Sequence, residues 1–161
     1  MSETQAVRRR WLPSQWPADA AGRKNMALLI QLRWIAIAGQ LVTILIVQFL
    51  MGVRLPLAPM LLVAAVAVLV NAASFAALRP RTDITRAELS VSLLFDVLLL
   101  TAQLYLSGGA TNPFVSLYLL QVALGVLLLD RASAWGITAV SALCAGLLAL
   151  DYRPLDLSDR L

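Results

Sequence analysis

The 161-residue chain contains no histidine. Within this sequence, that absence excludes a histidine-ligated haem or metal site, a histidine general base and a histidine phosphoacceptor. Charge is scarce as well: 14% of residues are Asp, Glu, Lys or Arg, while 60% are hydrophobic. A soluble domain carries roughly a quarter of its residues as charges, so the composition does not suit a water-exposed globule. The single cysteine, Cys144, permits no intrachain disulfide and lies in an apolar run, where it reads as a small buried hydrophobe. Period-two alternation is also missing, which argues against a transmembrane barrel and for helices.

What remains is a succession of five apolar spans, Met26 to Met51, Leu57 to Leu78, Leu89 to Leu106, Phe114 to Leu129 and Ala132 to Leu150. At a rise of 1.5 Å per residue each reaches about 24 Å or more, enough to cross a bilayer with small adjustments at the ends. The fourth is the shortest and needs part of the loop before it. The expected fold is therefore an all-α polytopic membrane bundle. Residues 1–25 form a polar N-terminal segment, 26–150 the transmembrane domain, and 151–161 a short polar tail read as a truncation point.

Basic residues set the expected orientation. Arg8, Arg9, Arg10, Arg23 and Lys24 precede the first span, and Arg33 is read as a further flanking charge just inside it. Arg79, Arg81 and Arg86 lie between the second and third spans, and Arg131 between the fourth and fifth. The opposite side has Arg54, Arg153 and Arg160. Positive residues stay inside, so the N terminus is expected in the cytoplasm and "GGATNPF" outside. Topology thus accounts for the net charge of +4 without a nucleic-acid partner.

The stretch "SGGATNPFVSLYLLQ", Ser107 to Gln121, interrupts the oil. As plain structure, Ser107, Gly108 and Gly109 end the third helix, Asn112 is a good N-cap and Pro113 suits the first helical position. As a site, the glycines admit a flat ligand close to the backbone. Asn112 offers an amide to a carbonyl, and Phe114 offers a ring. Gln103 and Gln121 fall at similar depth on antiparallel neighbours, and Phe114, Tyr118, Gln121 and Gly125 share a helical face. Such a slot suits a lipid-soluble molecule with a polar head; equally, the glutamines could be interhelical glue.

Asp96 reads as the lone charge in the body of a span. A central aspartate costs about 3 kcal/mol on the insertion scale, so it should face the bundle interior with a partner, and Asn71 is the expected one. The fifth span is rich in small residues, and Ala142 with Gly146 forms a small-xxx-small pair suited to close helix packing within or between chains.

"GGATNPF" resembles the GGxxNPF heptapeptide of the RegB/PrrB/ActS-type redox-sensing histidine kinases. "LRWIAIAGQ", Leu32 to Gln40, is similar to the opening of that family's first membrane helix. The resemblance implies a transmembrane sensor in the bacterial inner membrane that binds ubiquinone near the heptapeptide and reports the state of the quinone pool to a cytoplasmic kinase. By position, Gly108, Gly109, Asn112, Pro113 and Phe114 would line the quinone site; Tyr118, Gln121 and Gln103 are added to it from their spacing and depth alone. Asp96 and Asn71 would be intramembrane polar or signalling groups. The implied partners are the lipid bilayer, ubiquinone, a second copy in a homodimer, and a response regulator reached only through the kinase module; no metal or haem is implied. The family has six helices and then the histidine-bearing and ATP-binding domains. This sequence carries five spans, no histidine and no nucleotide box, so as given it cannot autophosphorylate. The rival expectations are a small membrane transporter or a membrane assembly subunit.

Overall fold

The computed structural model describes residues 18–150 except 51, 53, 54 and 82. The N-terminal segment as far as residue 17, Arg54 and the tail from residue 151 lie outside the described residues. Among the described residues five α-helices follow in order: α1 (Ala18–Leu45), α2 (Leu57–Leu78), α3 (Arg86–Leu106), α4 (Leu117–Leu128) and α5 (Arg131–Leu150). Among the described residues there is no strand. Four helices are long and apolar enough to cross a membrane, and the stretch Pro113–Leu128 is a shorter apolar fifth.

Each boundary has a local cause. α1 changes character at its C-terminal end, where Ile46–Leu50 winds as a π-helix before Gly52 turns with φ 64°. α3 opens with a capping box in which Thr85 accepts from the Glu88 N–H and Glu88 accepts from the Thr85 N–H. α5 is capped by Asp130, which accepts from the Ala132 and Ser133 N–H groups at 3.2 and 3.3 Å and from the Ser133 hydroxyl at 2.8 Å. These bonds, the Ser133 hydroxyl first, hold the Asp130 carboxyl below its ordinary range.

The centre of the bundle is α3. It packs against α1, α2, α4 and α5, while α1 pairs with α2 on one side and α4 with α5 on the other. Leu89, Leu93, Val97 and Leu104 recur along it at helical spacing and are almost wholly enclosed. Around them gather Met26, Leu29, Ile30, Tyr118, Ile137, Cys144 and Leu148. Cys144 is a free, buried thiol within this core. Two glycines permit close approach. A Cβ on Gly125 would touch Ile137 and Leu93, and one on Gly22 would sit 2.5 Å from the Ile84 carbonyl oxygen.

The outer surface is apolar. Ile35, Phe49, Leu62, Leu69, Leu119, Leu127 and Leu150 all point away from the core. Such a skin is untenable in water and is what lipid requires. The chain is a multi-pass helical membrane domain.

The Ala142–Gly146 pair does not pack within the described residues: both are exposed, and a Cβ on Gly146 would meet nothing within 4 Å. α5 instead turns Ala134, Ile137, Ser141, Cys144 and Leu148 inward.

Candidate functional site

The turn after α3 is built as its residues dictate. Ser107 closes the helix, its N–H donating to the Leu104 carbonyl at 3.0 Å and its hydroxyl to the Gln103 carbonyl at 2.8 Å. Gly108 and Gly109 then take left-handed conformations, φ 106° and 57°, which side chains resist. Gly109–Thr111 forms one 3₁₀ turn and Pro113–Ser116 a second. The first of these rests against α3 and α5. Thr111 donates its hydroxyl to the Gly108 carbonyl at 2.7 Å.

Asn112 joins the two turns. Its Nδ2 donates to the Ser107 carbonyl at 2.9 Å and lies 2.8 Å from the Ser107 hydroxyl oxygen, while its Oδ1 accepts from the Phe114 N–H at 2.9 Å. Both amide hydrogens are therefore engaged inside the turn, and Asn112 reaches inward rather than offering its amide to a ligand. Its N-cap role is the one expected, with Pro113 at the first position. Phe114 follows, 43% exposed as a residue.

Of the expected common face, Tyr118, Gln121 and Gly125 stay together on α4 while Phe114 leaves it. Pro113–Ser116 winds at 3₁₀ pitch, about 120° per residue instead of 100°, so Phe114 falls out of register with α4. Tyr118 turns into the core, where its phenol meets the Thr101 hydroxyl of α3 at 2.7 Å. That hydroxyl already donates to the Val97 carbonyl, so the phenol is the donor between them. Gly125 is buried against Ile137 and Leu93 rather than lining a slot.

Gln103 and Gln121 are not hydrogen-bonded to each other. Gln103 stands two turns beyond Asp96 on the same face of α3, and about 200° round the helix from Thr101, which faces α4. It therefore turns toward α1. Both of its amide atoms are enclosed without a hydrogen-bond partner among the described residues, as is Oε1 of Gln121.

Asp96 has a different partner from the expected Asn71. Arg33 of α1 crosses to it, with Nε 2.6 Å from Oδ1 and Nη2 2.9 Å from Oδ2. The same Nη2 lies 2.8 Å from the Ser92 hydroxyl oxygen and 3.2 Å from the Ser92 carbonyl. Both side chains are shielded, at 4% and 14% exposure. Asp96 is thus not the lone intramembrane charge, and Arg33 is not a flanking one. A bidentate guanidinium satisfies a carboxylate far better than an amide does, and it cancels the charge as well. Asn71, fully buried, donates instead to the Ile30 carbonyl at 3.1 Å and ties α2 to α1.

Sequence reasoning missed Arg33 as a site residue because it was counted with the N-terminal arginines. A signal was available: in an up-down-up arrangement α1 and α3 run parallel, and Arg33 and Asp96 stand at similar distances beyond Lys24 and Arg86.

A scan against family models matches residues 17–159 to the PilS-like transmembrane domain. Among curated proteins, the sensor histidine kinase RegB of Cereibacter sphaeroides is 34% identical over 138 residues, 84% of this chain. The chain spans 29% of the length of that relative. No solved structure matches significantly. With the heptapeptide in its turn and the helices in order, the chain belongs to the PilS-like transmembrane domain family, as an N-terminal membrane region of the RegB sensor-kinase type.

Proposed function

We propose that this domain is the membrane input of a sensor histidine kinase that responds to the redox state of the ubiquinone pool. In this reading it lies in the bacterial inner membrane with its N terminus in the cytoplasm. It works as a homodimer and reaches a response regulator through a kinase module beyond this sequence.

The observation that supports the reading is the enclosed, unpartnered amide of Gln103, one turn before the GGATNPF stretch on α3, while Gln121 of α4 carries a separate enclosed oxygen without a partner among the described residues. An unsatisfied buried polar group costs about 1–3 kcal/mol. A quinone head group supplies what these atoms lack, since its carbonyl accepts from an amide N–H and the quinol hydroxyl donates to an amide oxygen. The turn contributes shape. Gly108 and Gly109 keep the backbone bare, Pro113 fixes the second turn, and Phe114 presents a ring at the mouth. Asn112 acts as a positioning residue by bracing Ser107 against Phe114. Tyr118, already bonded to Thr101, aligns α3 with α4 behind the site.

The test is direct binding. The domain in lipid nanodiscs should bind decylubiquinone saturably, and Phe114→Ala should weaken that binding roughly two- to tenfold, the worth of one aromatic stack. Because Phe114 is exposed, the variant should stay folded. A wild-type domain that binds no quinone, or quinone-driven flux into sealed vesicles in place of binding, would overturn the reading; the latter would favour a transporter.

A further inference from the structure

The seam between α1 and α3 is fixed at two depths, by an ion pair at one and an apolar contact at the other. At the inner one, Arg33 meets Asp96. Farther out, Ile44 of α1 packs in one cluster with Met60 of α2 and Leu106 of α3. Those two fixed points make the helices parallel and set their register. Gln40 lies two turns beyond Arg33, and Gln103 two turns beyond Asp96. Each repeats the face of the charged residue below it to within about 20°. The two amides therefore stand level in the seam, about 10 Å outward from the ion pair.

They are unsatisfied there. Nε2 of Gln40 and both Nε2 and Oε1 of Gln103 are enclosed, with no hydrogen-bond partner among the described residues. A leucine at either position would leave no polar atom orphaned. Gly39, beside Gln40, is exposed, and a Cβ there would meet nothing within 4 Å. Nearly two turns beyond Gln40, α1 departs from α geometry in the π-helical stretch Ile46–Leu50, a feature frequent where helices serve ligands.

We infer that Gln40 and Gln103 form the polar-head subsite of the α1–α3 seam, holding a quinone carbonyl in the oxidised state and a quinol hydroxyl in the reduced one. This rests on the quinone reading above and specifies the groups that make the contact. An amide carries both a donor and an acceptor, so the pair accommodates either redox form without changing protonation. Gln103 reaches the subsite from below the GGATNPF turn, and Gln40 completes it from a helix that the heptapeptide does not touch in sequence.

The inference separates from simple interhelical glue by the sign of a stability change. The test measures decylubiquinone affinity and quinone-free thermal stability in nanodiscs for wild type, Gln40→Leu, Gln103→Leu and, as a control on the exposed part of α1, Gln31→Leu. Each seam variant should bind about five- to a hundredfold more weakly, the worth of one lost hydrogen bond in a dehydrated site. Both should melt at or above the wild-type temperature, because an apolar side chain replaces an unsatisfied amide. The control should bind as wild type does. Seam variants that melt lower yet bind equally well would make the glutamines structural and overturn the subsite while leaving quinone sensing intact. Wild-type protein that binds no decylubiquinone would overturn both.

Discussion

Removing Arg33 alone should destabilise this domain more than removing Arg33 and Asp96 together. The guanidinium meets the carboxylate through Nε at 2.6 Å and Nη2 at 2.9 Å, and Nη2 also lies 2.8 Å from the Ser92 hydroxyl oxygen. At 4% and 14% exposure, neither charge has water to fall back on. Arg33→Met therefore strands the carboxylate in a medium where a lone aspartate costs about 3 kcal/mol, and breaking a buried pair from one side costs about 3–5 kcal/mol. Asp96→Leu strands the arginine with only Ser92 and should cost a similar amount. Asp96→Asn should cost less, since its amide oxygen still accepts from Nη2, although the positive charge is left uncancelled. In the double variant Arg33→Met/Asp96→Leu no charge remains to be desolvated, and such replacements are often neutral or stabilising by about 1–4 kcal/mol. The expected coupling is thus several kcal/mol and opposite in sign to additivity. Thermal unfolding in a single detergent, read as the monodisperse fraction after heating, resolves differences of that size. Additive losses, or an Asp96→Leu single variant as stable as wild type, would show that the two charges do not depend on each other and would refute the pairing.

Gly22→Ala should lower stability by about 1–3 kcal/mol, because its methyl would meet the Ile84 carbonyl at 2.5 Å and force α1 away from the α2–α3 loop; Gly39→Ala, with open space around it, should cost no more than a few tenths and serves as the comparison in the same unfolding assay. A reporter active only in the periplasm should be active when fused after Ser107 and silent after Asp83, and the reverse pattern would invert the orientation drawn from the arginines. The Asp130 cap has a defined pH window: its folded carboxyl titrates below the ordinary value of 3.8, so its contribution is complete above that value and disappears as pH falls through the lower folded one. Asp130→Ala should abolish that part of the acid dependence in pH-jump unfolding; an unchanged acid limb would mean that the cap does not contribute.

The elements were legible because the bilayer imposes so blunt a constraint. Apolar runs separated by "RPRTDITRAE", "SGGATNP" and "DR" leave few alternatives, and the helices stop where Gly108, Asn112–Pro113 and Asp130 say they should. The turn itself could be read residue by residue, since Gly in a left-handed conformation and Asn as a cap are local properties that need no tertiary knowledge. Where Tyr118 and Gln121 point was not legible to the same degree. Their expected alignment with Phe114 assumed one helix from Phe114 onward, and the 3₁₀ turn at Pro113–Ser116 removed that premise.

The remaining misreadings share a cause: local periodicity fixes which residues share a face but not which neighbour that face meets. Asp96 and Gln103 were correctly placed on one face of α3, yet that face was turned toward α2 for the first residue and toward α4 for the second. Two residues on one stripe cannot answer to helices on opposite sides. For Asp96 the answer is α1, which offers Arg33 at its level, and Gln103 repeats the Asp96 face two turns on. Sequence adjacency favours hairpin partners, and α1 is separated from α3 by the whole of α2, so the pairing carries no local signature. Charge matching does reveal it. An arginine and an aspartate within the apolar body of two parallel spans, equally far from their basic flanks, each cost several kcal/mol alone and little together. That condition on the two charges fixes the rotation of α3. With the rotation fixed, Thr101 must face α4, where Tyr118 is waiting for it, and Gln103 must face the seam.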